Sequence, residues 1–144
     1  MLQASAHRAI ALMREASRLY TQLFAKHFKA LSLTSEEART LAYLGAEDGV
    51  TQKDLAALMH VRPIGLSRLI DRLQDGGWLE RRQSLADRRA NTLHLTEKGK
   101  TGAQDIRAIN STLADRLAGN LPADDLASLI RGLEVVRAAL EEMR

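Results

Sequence analysis

Between Thr51 and Gly99 the order of hydrophobic periods and chain breakers leaves few folds open. A short helical stretch, Thr51 to Met59, runs into a turn at His60-Val61-Arg62, and a second, Pro63 to Gln74, stops at Gly76-Gly77. The pattern then turns strand-like at Trp78 to Arg82, passes a polar tip from Gln83 to Ala90, and returns as a strand from Asn91 to Thr96. Thr51, with Asp54 three residues on, suits an N-cap, and Pro63 suits a first helical turn, where its missing N–H costs nothing. Leu55, Ala56, Leu58 and Met59 are expected to pack inward from the first helix, and Leu66, Leu69, Ile70 and Leu73 from the second. Two helices at a sharp turn followed by a hairpin make a winged helix-turn-helix. Such a unit can lay one helix in the major groove of duplex DNA and an arginine-bearing loop in the minor groove.

The flanks carry more helix than this module needs. Ser5 to Ala30 reads as one helix with an apolar stripe of Ala9, Leu12, Met13, Ala16, Leu19, Tyr20, Leu23, Phe24 and Phe28. At 1.5 Å per residue it would span about 39 Å, long for a small domain. Thr34-Ser35-Glu36-Glu37 is a capping box that starts a helix to about Ala46, stopped at Asp48-Gly49. Val50 is placed to add a short strand beside the hairpin. After it, Thr96 to Gly99 opens a helix carrying Ala103, Ile106, Ile109, Leu113 and Leu117, with Gly119 expected to end it in a left-handed turn. A last helix begins near Pro122 and carries a seam of Leu126, Leu129, Ile130, Leu133, Val136 and Leu140. Stripes of this kind require a partner. Packing the terminal helices against each other and against a second copy satisfies them, and a two-fold dimer would hold two recognition helices about 34–36 Å apart. The expected fold is mainly α with a small β-hairpin wing: a winged lobe at residues 34–99, between dimerisation helices at 1–33 and 100–144.

Charge agrees with a polyanionic partner. Residues 51–100 hold ten Lys/Arg against six Asp/Glu, whereas the other 94 hold eleven against twelve. With no cysteine there is no disulfide, thiolate metal site or cysteine redox sensor. The first twenty residues are interrupted by His7, Arg8, Arg14, Glu15 and Arg18, so no secretory leader is expected, and no apolar run is long enough to span a bilayer. The expectation is a cytoplasmic protein with no membrane partner.

Arg68, mid-helix, is the choice for a major-groove contact, where bidentate pairing with guanine is the commonest specific interaction; Ser67 and Arg72 come second, and Arg62 lies at the same outward side. Arg88 and Arg89 at the hairpin tip suit the narrow, negative minor groove of A·T-rich DNA, with Asp87 expected to pair with an arginine and orient it. Arg81 and Arg82, at the base of the hairpin, are expected on phosphates. The same charges also fit a solvated helix face and turn; their arrangement behind a helix-turn-helix is what favours DNA.

The run Leu69-Ile70-Asp71-Arg72-Leu73, then Gly76 to Arg82, Asp87-Arg88-Arg89-Ala90 and Leu95-Thr96-Glu97-Lys98-Gly99 resembles the MarR family of bacterial transcriptional regulators, the SlyA-type branch above all. Asp-Arg-Arg followed five residues later by Leu-Thr-x-x-Gly is the specific part, and the likeness extends over nearly the whole chain. It implies a homodimer of triangular outline on a pseudo-palindromic operator, repressing nearby genes or antagonising other silencers. It matches Arg68 and its neighbours to recognition-helix contacts, Arg88 and Arg89 to wing-tip arginines, and Arg81 to a phosphate contact. It also implies release by a small phenolic or aromatic carboxylate effector bound between the dimer helices and the lobe. Here the sequence departs, with Ala38 and Ala42 where relatives often carry larger side chains. Phe24, His27, Arg39 and Tyr43 remain as pocket residues, each also readable as core or surface.

Other chemistry finds little support. His7, His27, His60 and His94 are scattered, so no metal is expected; Gly76-Gly77 is a helix stop rather than a phosphate cradle; no hydroxyl, His and acid form a nucleophile set. No cofactor and no enzyme activity are expected. Five aromatics, mostly on apolar stripes, do not make a single-strand stacking surface. The rival is a winged-helix protein–protein adaptor that has lost DNA binding.

Overall fold

Helix starts and stops follow the capping residues closely. The computed structural model describes residues 1–143, in the order α1 (Leu2–Leu31), α2 (Ser35–Ala46), α3 (Gln52–Leu58), α4 (Pro63–Asp75), β1 (Leu79–Gln83), β2 (Asn91–Leu95), α5 (Glu97–Asn120) and α6 (Ala123–Glu142). Ser32, left-handed at φ 56°, ends α1, its N–H and that of Leu33 turning back onto the carbonyls of Lys29 and Phe28. The capping box of α2 is closed both ways. Thr34 Oγ1 accepts from the Glu37 N–H at 3.3 Å, and Glu37 Oε2 accepts from the Thr34 N–H at 2.8 Å. Thr51 caps α3 by accepting from the Asp54 N–H at 3.1 Å. The turn between α3 and α4 places His60 at φ 54°, with Val61 donating to the Ala56 carbonyl. Gly77, at φ 72°, takes the left-handed step after α4.

The strands pair antiparallel in the register Leu79↔Leu95, Arg81↔Leu93 and Gln83↔Asn91. Beyond them the expected strand at Val50 reduces to one isolated bridge, Thr51↔Thr92, although the Val50 carbonyl does accept from the Leu93 N–H. Packing divides the chain into two compact units, Met1–Ile106 and Arg107–Arg144. The core of the first collects Phe24 and Phe28 from α1, Leu41 and Leu44 from α2, Leu55 and Met59 from α3, Leu66, Ile70 and Leu73 from α4, then Trp78, Leu79, Leu93, Leu95 and Ile106.

Two sequence expectations are corrected. Leu58 is partly exposed while Leu55, Ala56 and Met59 are buried. Leu55, Ala56 and Met59 define the arc of the α3 wheel that faces the core, and Leu58 falls outside it. Gly119 is not left-handed but lies inside α5, which runs on to Asn120. The Leu121 N–H still bonds the Leu117 carbonyl, and the chain leaves the helical path at Pro122, which has no N–H to continue it.

The junction from wing to α5 explains Leu95-Thr96-x-x-Gly99 physically. Leu95 is buried, and Thr96 Oγ1 accepts from the Gly99 N–H at 3.1 Å while donating to the Gly77 carbonyl at 2.7 Å. A Cβ at Gly99 would stand 1.9 Å from the Trp78 carbonyl oxygen, so no larger residue fits as α5 leaves the sheet. Lys98 lies over the Trp78 ring at 4.2 Å and donates to the Gly76 carbonyl.

Candidate nucleic-acid interface

Helix α4 buries Leu66, Leu69, Ile70 and Leu73, which turns Ile64, Arg68, Asp71 and Arg72 outward. Arg68 is exposed and has no hydrogen-bond or ion-pair partner among the described residues. Ser67 beside it is half-buried, its hydroxyl accepting from Gln52 Nε2 at 2.6 Å, a tie that fixes α3 against α4. Arg62 is the N-cap of α4 and exposed, but its side chain caps nothing. These three places on one helix form the outward side that the sequence singled out.

Arg72 is held back. Its Nε donates to Glu37 Oε1 at 2.8 Å, across from α2, while Glu37 itself is buried. Burial alone would push the Glu37 carboxyl up. Hydrogen bonds from Arg72 and Thr34 outweigh that and hold it below its ordinary value. One carboxylate thus closes a capping box with one oxygen and fixes an arginine of α4 with the other.

Strand alternation separates the two arginines at the hairpin base. Arg81 pairs across from the buried Leu93 and so sits on the sheet face turned to the helix. It donates to Asp71 Oδ1 at 2.6 Å and to Gln74 Oε1 at 2.7 Å, clamping the wing to α4. Arg82 faces the other way and pairs with Glu80 at 2.6 Å. Both carry internal partners where the sequence suggested only phosphates.

The tip is a hydrogen-bonded loop. Ser84 Oγ accepts from the N–H groups of Ala86 and Asp87, Ala90 donates to the Asp87 carbonyl, and Gln83 Nε2 donates to the Arg88 carbonyl. Asp87 does not pair with a guanidinium as expected; its Oδ1 accepts from the backbone N–H of Arg89 at 2.9 Å. A short carboxylate two residues back favours that turn over a reach to a side chain. The guanidinium groups of Arg88 and Arg89 are exposed and without partners among the described residues.

The suggested pocket residues separate. Phe24 is in the core, its ring centroid 4.2 Å from that of Tyr20 and 5.2 Å from that of Phe28. His27 is exposed, with Nδ1 3.0 Å from the Leu23 carbonyl of its own helix. Arg39 and Tyr43 come together on α2, the guanidinium 5.8 Å from the ring centroid. Arg39 Nη2 also donates to the Met59 carbonyl at 2.6 Å, joining α2 to the end of α3.

Sequence reasoning passed over Gln52, Asp71 and the second role of Glu37. For Asp71 the signal was available, since alternation along β1 already directs Arg81 toward α4. Nothing local links Glu37 to Arg72 or Gln52 to Ser67, which only folding brings together.

Residues 31–90 match a family model described as the MarR family. The multiple antibiotic resistance protein MarR of Escherichia coli (strain K12) is 27% identical over 109 residues, 75% of this chain and 76% of that protein. Among solved structures, the transcriptional regulator SlyA superposes with a TM-score of 0.79 at 23% identity, covering 93% of this chain and 94% of the other. A mutant MarR from E. coli complexed with operator DNA gives a TM-score of 0.72 at 25% identity, over 87% and 90% of the two chains. A MepR–DNA complex from S. aureus gives 0.77 at 24% identity, over 90% and 95%.

Proposed function

We propose that this chain is a transcriptional regulator of the MarR family, a homodimeric repressor of a pseudo-palindromic operator, released by a small aromatic or phenolic effector. α4 reads bases through Arg68, with Ser67 beside it. Arg88 and Arg89 enter the flanking minor groove, and Arg62 and Arg82 meet phosphates. Arg81 and Arg72 hold the reading elements in place and lend their remaining charge to the backbone. One observation carries this reading: among the described residues of the winged lobe, Arg62 and Arg68 on α4 and Arg88 and Arg89 at the wing tip have no internal partner, as has Lys53 on α3, while Glu37, Asp71 and Asp87 are occupied within the protein. An adaptor would have no use for that division. Support also comes from MarR with operator DNA and MepR with DNA among the structural neighbours.

Dimerisation is supported by what the helices leave uncovered. In α1, Ile10, Leu12, Leu19, Tyr20 and Leu23 are exposed; in α6 no described residue is buried and Leu129, Ile130, Leu133 and Leu140 are open. The effector reading is supported by Arg39 and Tyr43, a cation beside a phenol ring on α2, suited to a flat carboxylate.

The test is a fluorescence-polarisation titration on duplex DNA over a range of salt, with a site selected from a random pool. Log affinity should fall with log salt by about 0.9 per phosphate contact, with several contacts per dimer. Binding that ignores salt, or no binding to any duplex at low salt, would leave the adaptor as the better reading.

A further inference from the structure

The first turn of α4 holds two features that the fold does not need. Ile64 is 77% exposed, one of the most open apolar side chains of the winged lobe, although it follows directly on Pro63 at the start of a well-packed helix. Gly65 comes next. A Cβ built there meets nothing within 4 Å and its φ is not positive, so neither crowding nor backbone conformation demands glycine. Glycine inside a helix instead costs about 0.5–1 kcal/mol relative to alanine. An open isoleucine and an uncalled-for glycine, side by side, face whatever lies outside the protein.

Helical spacing says what that is. Residues three and four apart share a face, which puts Ile64 beside Ser67 and the unpartnered Arg68. Arg62 precedes them at the N-cap, so the apolar spot is surrounded by cationic and hydroxyl groups. N-terminal residues of a recognition helix meet base edges in the major groove, where one apolar group stands out: the 5-methyl of thymine.

We propose that Ile64 reads the methyl group of a thymine in each half-site, within about two base pairs of the base contacted by Arg68 because the two residues are only about 6 Å apart along α4, and that Gly65 keeps the helix bare so that this turn can approach the DNA closely. The assignment rests on the regulator reading above and adds a specificity to it. Its occupant is a nucleobase in duplex DNA. A protein partner on the same patch is the competing occupant.

Replacing thymine by uracil, which removes only the methyl, tests it. On a selected site, each thymidine is changed in turn to deoxyuridine and affinity is measured for wild type, Ile64→Ala and Gly65→Ala. One symmetric pair of positions should lose roughly fourfold per methyl with wild type and nothing further with Ile64→Ala. Gly65→Ala should weaken DNA binding while raising the melting temperature of the free protein, a combination that a structural role would not give. Uracil tolerated at every position, with Arg68→Ala still lowering affinity, would overturn the assignment of Ile64 and leave the regulator reading standing. Gly65→Ala binding as tightly as wild type would overturn the close approach. Absence of binding to any duplex would overturn both readings together.

Discussion

At the scale of single residues, arginines divide by whether the fold already uses them. Arg68 is open and unpaired among the described residues, whereas Arg72 and Arg81 have carboxylate partners at 2.8 and 2.6 Å. Arg68→Ala should therefore leave the melting temperature unchanged and cost about 1–3 kcal/mol at the selected site, with relaxed preference at one base position. Equal losses on selected and random DNA, measured by competition, would count against base reading. Glu37 answers to pH. Its carboxyl lies below the unfolded value of 4.5, so its contribution to stability is complete above that value and is lost as pH falls through the lower, folded one. Wild-type melting temperature should decline as the solution is acidified through this window. Glu37→Gln should begin about 1–2 kcal/mol less stable at neutral pH and decline less steeply; parallel curves would mean that the carboxylate carries no such linkage.

At the scale of elements, what could be read in the chain depended on how local the cause was. Thr34, Thr51, Pro63 and Gly77 act within one turn of themselves, so helix starts and stops were legible to within a few residues. Gly119 misled because glycine permits a left-handed stop without enforcing one, and Pro122 enforced it three residues later. Leu58 misled because an apolar residue on a short helix has no fixed side until its neighbours are known. Arg81 had two legible parts, a strand position and a charge, but the Asp71 opposite it is a tertiary fact. The wing itself makes a prediction. With Arg89 at a tip held by its own hydrogen bonds, Arg89→Ala should weaken binding most when the flanks are A·T-rich, where the minor groove is narrow. Indifference to flank composition in a panel of duplexes would place the tip elsewhere. Where α5 leaves the sheet, Gly99→Ala should destabilise by about 1–3 kcal/mol in chemical denaturation, because the added methyl meets a backbone carbonyl that cannot rotate away. Gly65→Ala should do the opposite, and the contrast separates a glycine required by packing from one required by a partner.

At the scale of the whole molecule, the terminal helices pose a problem that one copy leaves unsolved. α6 contains Leu129, Ile130, Leu133, Val135 and Leu140, and none of its described residues is buried. α1 behaves the same way over its first two-thirds, where Ile10, Leu12 and Leu19 are exposed, and among its described residues only Phe24 and Phe28 are buried. The apolar periodicity was plain in the sequence, but periodicity cannot say whether a stripe meets its own chain or another. The homodimer proposed above would cover them and also serve the site, since two-fold symmetry would present two α4 helices to one duplex and match a repeat spaced by about one DNA turn, 34–36 Å. Leu133→Glu tests that link. Leu133 is 49% exposed, so a charge there should leave the fold of the single chain intact by circular dichroism. Light scattering should show the mass of one chain in place of two. Affinity for the paired site should drop toward that for a single half-site, because the second contact no longer comes at high effective concentration. A Leu133→Glu protein that remains dimeric would move the interface off this seam of α6. One that is monomeric yet binds the paired site undiminished would break the connection between dimerisation and recognition.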